Sequence, residues 1–189
     1  MRNVPRFLSI IYLTFWFAVE PGFSHDRMAP AKGPLEPESS VNQFTDLTVG
    51  AAGYLTGGAG DLFVVSGNFT NGSTQNVLWS TAASEVQFKG DTFHTFAMAG
   101  ADLGPTYFDC ANNFSFDTLR LGSGQGLVLA EGNATPAAAI YVNKLILESG
   151  LLQINLVTGN GFFIYYEPTN AANSHLNGQT HPLAGGGAI

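Results

Sequence analysis

The chain has 189 residues, enough for one domain with a substantial core. Its 45% hydrophobic content excludes a disordered chain, and 23 glycines beside only 11% charged residues exclude a helical bundle. The formal net charge of −7 disfavours nucleic acid and anionic lipid as partners.

The N-terminus reads as an export signal over residues 1–24. Arg2 and Arg6 form a basic region, Phe7 to Val19 is an apolar run, and Gly22-Phe23-Ser24 puts small residues before a cut. The apolar run has 13 residues, too short for a membrane span, which needs about 20. Losing Arg2, Arg6 and Glu20 with the signal leaves 5 basic and 13 acidic residues of the original 7 and 14, a net charge of −8. No later segment is apolar enough to cross a membrane. Cys110 is the single cysteine, so an exported monomer has no internal disulfide and stability must come from packing and backbone pairing. Its expected role is that of a buried or inert thiol.

Residues 25–40, with three prolines and several charges, predict a flexible leader. From Val41 the texture changes to short alternating runs separated by Gly, Asn and Asp, and these runs repeat. Residues 44–68, 77–101, 114–133 and 140–160 align as four units. Gly50, Gly90, Gly122 and Gly150 each follow an apolar-x-apolar strand and form one column. Gly67, Gly100, Gly132 and Gly159 form a second, with Asn68, Asn133 and Asn160 next to three of them. Such units mark a solenoid, because no single unit covers its own apolar face. Each unit is expected to hold three short strands, as at Phe114–Phe116, Thr118–Leu121 and Leu127–Leu129, with Gly or Asn giving positive φ at the corners. The predicted fold is all-β: a right-handed parallel β-solenoid (β-helix) of about four turns over 41–166, followed by a cap or tail at 167–189. An antiparallel β-sandwich is the alternative, since its strand spacing also fits.

Candidate chemistry is sparse. Gly122-Ser-Gly124-Gln-Gly126 has the look of a phosphate loop, but it feeds an alternating strand rather than a helix and lacks Lys-Ser/Thr, so it reads as a corner. "GGAGDLF" (57–63) approaches a calcium-binding nonapeptide but is one residue short before Asp61 and occurs once, which favours a turn. Asp91, Asp102, Asp109, Asp117, Glu131 and Glu148 scatter near corners and are expected to be solvated. Asp117 and Asn143 are expected to stack on neighbouring turns, which makes no acid/base pair. Lys89, Arg120 and Lys144 are too few for a uronate site, and the last two are expected to pair with local acids. His94, His175 and His181 lack metal spacing. Trp79, Tyr165 and Tyr166 can stack on sugars, but a wall or cap role is preferred. The sequons at Asn68, Asn71, Asn113 and Asn133 follow from Asn/Ser/Thr richness. No catalytic residue, cofactor-binding residue or metal ligand is assigned.

The C-terminal part adds a resemblance. Gly159-Asn160-Gly161, Ile164-Tyr165-Tyr166-Glu167-Pro168, Asn173, Leu176, Gly178 and Gly185-Gly186-Gly187 resemble the pre-anchor segment of exported bacterial proteins with a PEP-CTERM sorting tail. "SGNFTNGSTQNVLW" (66–79) and "AAIYVNKLIL" (138–147) are similar to the same family, so the likeness spans about residues 60–189. That family continues into a Pro-rich linker, a Pro-Glu-Pro motif, a membrane helix and a basic tail, none of which precedes Ile189. A truncated gene, or release without sorting, is the corresponding expectation. The resemblance implies a surface or matrix protein of a Gram-negative bacterium, with no shared catalytic activity. Its expected role is structural or adhesive, with extracellular polysaccharide or other surface proteins as partners. A carbohydrate-binding or carbohydrate-cleaving β-helix is the alternative.

Overall fold

The computed structural model describes residues 39–105, 112–134 and 138–189. The expected signal, most of the leader, Asp109 and Cys110 lie outside the described residues. The described part is strand-rich: β1 (Val41–Phe44), β2 (Leu47–Val49), β3 (Leu62–Val65), β4 (Phe69–Asn71), β5 (Glu85–Phe88), β6 (Phe93–Met98), β7 (Phe116–Leu121), β8 (Gly126–Glu131), β9 (Ala139–Leu147), β10 (Val157–Thr158) and β11 (Phe163–Tyr166). Two 3₁₀ helices, Leu151–Leu156 and Ala171–Leu176, complete the regular structure.

Successive strands alternate between two sheets. Odd-numbered strands form a six-stranded sheet in the order β1-β3-β5-β7-β9-β11, and even-numbered strands form a five-stranded sheet, β10-β8-β6-β4-β2. Among the described residues every strand pair is parallel, which is not the pairing of an antiparallel sandwich. The period-2 pattern fixes the register. A slip of one residue would turn every apolar side chain to solvent. Val65, Phe88, Leu121 and Leu147 therefore stack in one inward ladder. Leu47, Phe69, Phe96 and Leu129 stack in another from the second sheet. These ladders join in a single core, where the Phe69 and Phe96 rings stack at 5.0 Å and Phe116 meets Phe69 edge-on at 6.3 Å.

The structure corrects three details of the repeat. Six layers of the larger sheet replace the expected four turns, because residues 44–68 contribute to two layers rather than one, with β2 and β3 separated by a long connection, and β11 adds a layer beyond the fourth unit. The first five layers have two strands each, not three, and among the described residues the sixth has β11 alone. Phe114 adopts a left-handed conformation (φ 57°) outside any strand, and β7 runs unbroken through Asp117. Gly50 and Gly67 also exchange columns. Gly67 lies after β3, at the same corner type as Gly90, Gly122 and Gly150, while Gly50 lies after β2, with Gly72, Gly132 and Gly159. An apolar-x-apolar-Gly run precedes both corner types, so the motif alone does not say which sheet it leaves.

The corner residues also act less uniformly than expected. Gly150 does have positive φ, 75°, as does Asn160 at 52°. Gly132 serves a different need: a Cβ there would fall on the Asn71 carbonyl oxygen from two layers away. Asn68 and Asn133 use their side chains instead. The Asn68 Oδ1 accepts from Thr95 N–H at 2.8 Å, and the Asn133 amide donates to the Ser73 carbonyl at 2.9 Å.

Residues 167–189 fold back on the last layer. Leu176, Leu183 and Ile189 are buried in the core, and Thr158 and Phe163 form parallel bridges with Ala184 and Ala188. Asn173 is fully buried. Its Oδ1 accepts from Leu145 N–H at 2.9 Å, and its amide donates to the carbonyls of Asn143 (2.8 Å) and Glu167 (2.7 Å). The tail thereby supplies hydrogen bonds that β9 does not make with its neighbouring strands in this stretch.

Candidate functional site

The glycine-rich stretch at 122–126 is a corner. Its amides face the next layer: Ser123 N–H donates to Glu148 Oε2 at 3.1 Å and Gly124 N–H to Ser149 Oγ at 2.8 Å. Gly126 then opens β8, a strand rather than a helix. Asp61 is likewise a turn residue. Its carboxylate accepts from the backbone N–H of Gly58 and of Ser40, both at 2.7 Å, and from the Ser40 hydroxyl at 2.8 Å. Those donors, led by the Gly58 amide, lower its pKa, as expected for a stabilised anion.

The outer side of the six-stranded sheet carries the ion pairs. Arg120 reaches back to Glu85 and forward to Glu148, and Lys144 pairs with Asp117 at 2.9 Å. Asn143 donates to the other Asp117 oxygen at 3.2 Å, so the expected Asp117–Asn143 stack forms. Burial alone would raise the Asp117 pKa, but hydrogen bonds from Lys144, Thr118 and Asn143 together lower it. These acids sit in lateral pairs with Arg120 and Lys144, which serves cohesion between layers. Among the described residues no group of three or more His, Cys, Asp or Glu is placed to hold a metal ion.

His94, legible in sequence only as a lone histidine, sits inside a polar spine at the corner. It is 1% exposed. Its Nδ1 lies 2.6 Å from the Gly67 carbonyl oxygen and its Nε2 lies 2.7 Å from the Gln125 side-chain Oε1. Gln153 continues the line by donating to the carbonyls of Gly122 (2.7 Å) and Gln125 (2.9 Å). The spine ties four successive layers where the strands turn. His175 and His181 lie in the tail and bond to backbone carbonyls there. Asn71 and Asn113, two of the sequon residues, are buried and engaged with backbone groups.

Trp79 is a wall residue. It is buried, its indole N–H donates to Thr81 Oγ1 at 2.6 Å, and its ring meets Phe114 edge-on at 5.1 Å. Tyr165 and Tyr166 have a different setting. They end β11 beside a cleft of about 310 Å³, with Phe163 and Ile164 from the same strand, Pro105 and Pro168, and the tail segment Gly178–Thr180. The Phe163 and Tyr165 rings are nearly parallel, 8° apart with centroids at 5.8 Å, and Tyr165 stacks on the buried Tyr141 of the layer beneath at 4.9 Å. Two hydroxyls anchor the stack. Tyr165 donates to Asp102 Oδ1 at 3.0 Å, and Tyr141 donates to the Gly104 carbonyl while accepting from Leu103 N–H. Burial, then the Asp102 carboxylate, pushes the Tyr165 pKa well above the ordinary phenol range. Sequence reading named Tyr165 and Tyr166 but missed Phe163 and Tyr141. The period-2 alternation that puts Phe163 and Tyr165 on one face was the available signal; the pairing of Tyr141 with Tyr165 required the register.

The chain matches no family model, no curated protein and no solved structure. No helix among the described residues is long and apolar enough to cross a membrane.

Proposed function

We propose that this protein is an exported, non-enzymatic component of a bacterial surface or extracellular matrix, and that its two parallel sheets are the walls of a right-handed β-solenoid with a structural or adhesive role. The observation that carries the reading is the unbroken alternation of strands between the two sheets, layer after layer, around one shared core. Polar side chains support it by facing the neighbouring layer: Arg120, Lys144, His94, Gln153, Asn68 and Asn133 all bond across layers. Residues 167–189 act as the cap that a stack of this kind requires at its end. The N-terminal basic and apolar pattern directs export, and the PEP-CTERM-like motifs point to the cell surface.

Expression of the full chain in a Gram-negative host tests both parts. Periplasmic or extracellular recovery with a new N-terminus near residue 25 supports export; cytoplasmic retention of an uncut chain overturns it. The exported protein is expected to leave uronate polysaccharides intact, and release of new chain ends from such a substrate would refute the non-enzymatic assignment.

A further inference from the structure

We propose that the cleft beside β11 binds a neutral saccharide, with the parallel rings of Phe163 and Tyr165 as its stacking platform. This deepens the adhesive reading above by naming its ligand class, and it rests on that reading only for its biological setting. The geometry has three parts. First, the two rings follow each other along one strand with planes 8° apart and centroids 5.8 Å apart, so both turn apolar aromatic faces in the same direction. A pyranose ring offers a face of C–H groups to such rings, and its hydroxyls point to the sides, where the polar residues Gln179 and Thr180 line the same cleft. Secondly, no charged side chain lines the cleft among the described residues. A uronate or sulfated sugar would leave its charge without a counter-ion in a half-enclosed site, so the lining favours uncharged sugars. Thirdly, the platform is held in place before any ligand arrives. Tyr165 is fixed from below by Tyr141 and at its hydroxyl by Asp102, which lowers the entropy cost of binding.

The size of the opening separates a sugar from a docked polypeptide strand. Ala188 already bridges Phe163, and Ile164 N–H donates to the Ala188 carbonyl at 3.0 Å. Of β11 only Tyr165 and Tyr166 lie beyond that contact, which is short of the 3–10 residues of an ordinary strand. The volume of about 310 Å³ lies instead at the small end of small-ligand pockets, about 300–1,000 Å³.

The test uses the full chain and four probes: cellobiose, maltose, laminaribiose, and digalacturonate as the charged comparison. Titration followed by NMR is expected to show saturable binding of at least one neutral disaccharide, with shifts centred on Phe163–Tyr166 and Gln179–Thr180. Digalacturonate is expected to bind at least about tenfold more weakly. Tyr165→Ala should weaken the neutral sugar about tenfold or more, Tyr165→Phe should retain it, and Tyr54→Ala, an exposed tyrosine elsewhere, should leave it unchanged. If Tyr165→Ala fails to fold, the shift map on the unsubstituted chain decides. Three results would each overturn the proposal: no saturable binding of any neutral disaccharide, shifts centred elsewhere, or equal loss with Tyr54→Ala and Tyr165→Ala. An intact exported protein without sugar binding would remove the cleft's role while leaving the surface-protein reading standing.

Discussion

Replacing Asn173 by Leu removes a buried side chain that makes three hydrogen bonds and adds an apolar group of similar bulk. The Leu145 N–H loses its acceptor in a buried setting, and the Asn143 and Glu167 carbonyls lose a donor at partly buried ones. A buried polar group left unsatisfied costs about 1–3 kcal/mol, with carbonyls near water at the low end, so the sum is about 2–5 kcal/mol. At roughly 2–4 °C per kcal/mol for a domain of this size, Tm should fall by about 4–20 °C. Urea and thermal unfolding of the full chain give the stability change, and amide exchange locates it: Leu145 should lose protection while Leu119, in the middle of the stack, keeps it. Asn173→Asp is expected to be no better. It retains the acceptor for Leu145 but turns a carboxylate oxygen toward two carbonyls. A loss below about 1 kcal/mol with Leu145 still protected would refute the idea that this asparagine ties the tail to β9.

Other substitutions and conditions follow from the same geometry. Gly132→Ala places a methyl on the Asn71 carbonyl and close to Met98, so the layers must separate; a loss of about 1–3 kcal/mol in urea unfolding is expected, and a neutral result would show that the corner gives way freely. Arg120→Met should cost no more than about 1 kcal/mol and less in high salt, since its ion pairs are partly solvated; a larger or salt-independent loss would contradict this. Asp61 and Asp117 both have folded pKa values below the unfolded one, so each contributes stability above about pH 4 that is lost as pH falls through the folded value. Asp117→Asn should therefore flatten the acid limb of a stability–pH curve, and an unchanged limb would count against the Lys144 pairing. Tyr165 and Tyr166 have raised pKa values, so their contribution is complete below about pH 10 and declines above it. Absorbance titration should show two phenols ionising later than the rest, and a single ordinary transition would refute their burial.

Much of the architecture is written in local pattern. The period-2 alternation in stretches such as Val86/Phe88, Leu119/Leu121 and Leu145/Leu147 dictates strands with one buried face, and the recurrence of such stretches dictates stacking. Glycine after each run signals a corner, because the same short-range steric rule acts wherever the chain bends. The lateral pairing of Asp117 with Lys144 and Asn143 was also within reach, since aligned repeats place them on neighbouring layers.

Phase and closure of the ends were not legible. Both corner types follow the same apolar-x-apolar-Gly run, so only the pairing of Gly72 N–H with the Val49 carbonyl at 2.8 Å shows that Gly50 belongs to the second sheet's corners. The number of layers depended on whether residues 50–61 form one long corner or the return leg of a turn, and nothing in their composition separates the two. Asn173, His94 and Gln153 look like ordinary polar residues in the chain. Each is buried where its side chain bonds backbone groups of another layer, many residues away. The sequence by itself determined that strands with one apolar face would stack around an apolar interior, because side-chain alternation is a local property. Only the tertiary structure decided which layers meet, and therefore that Phe163, Tyr165 and Tyr141 come together beside a cleft, because register is settled by contacts between distant segments.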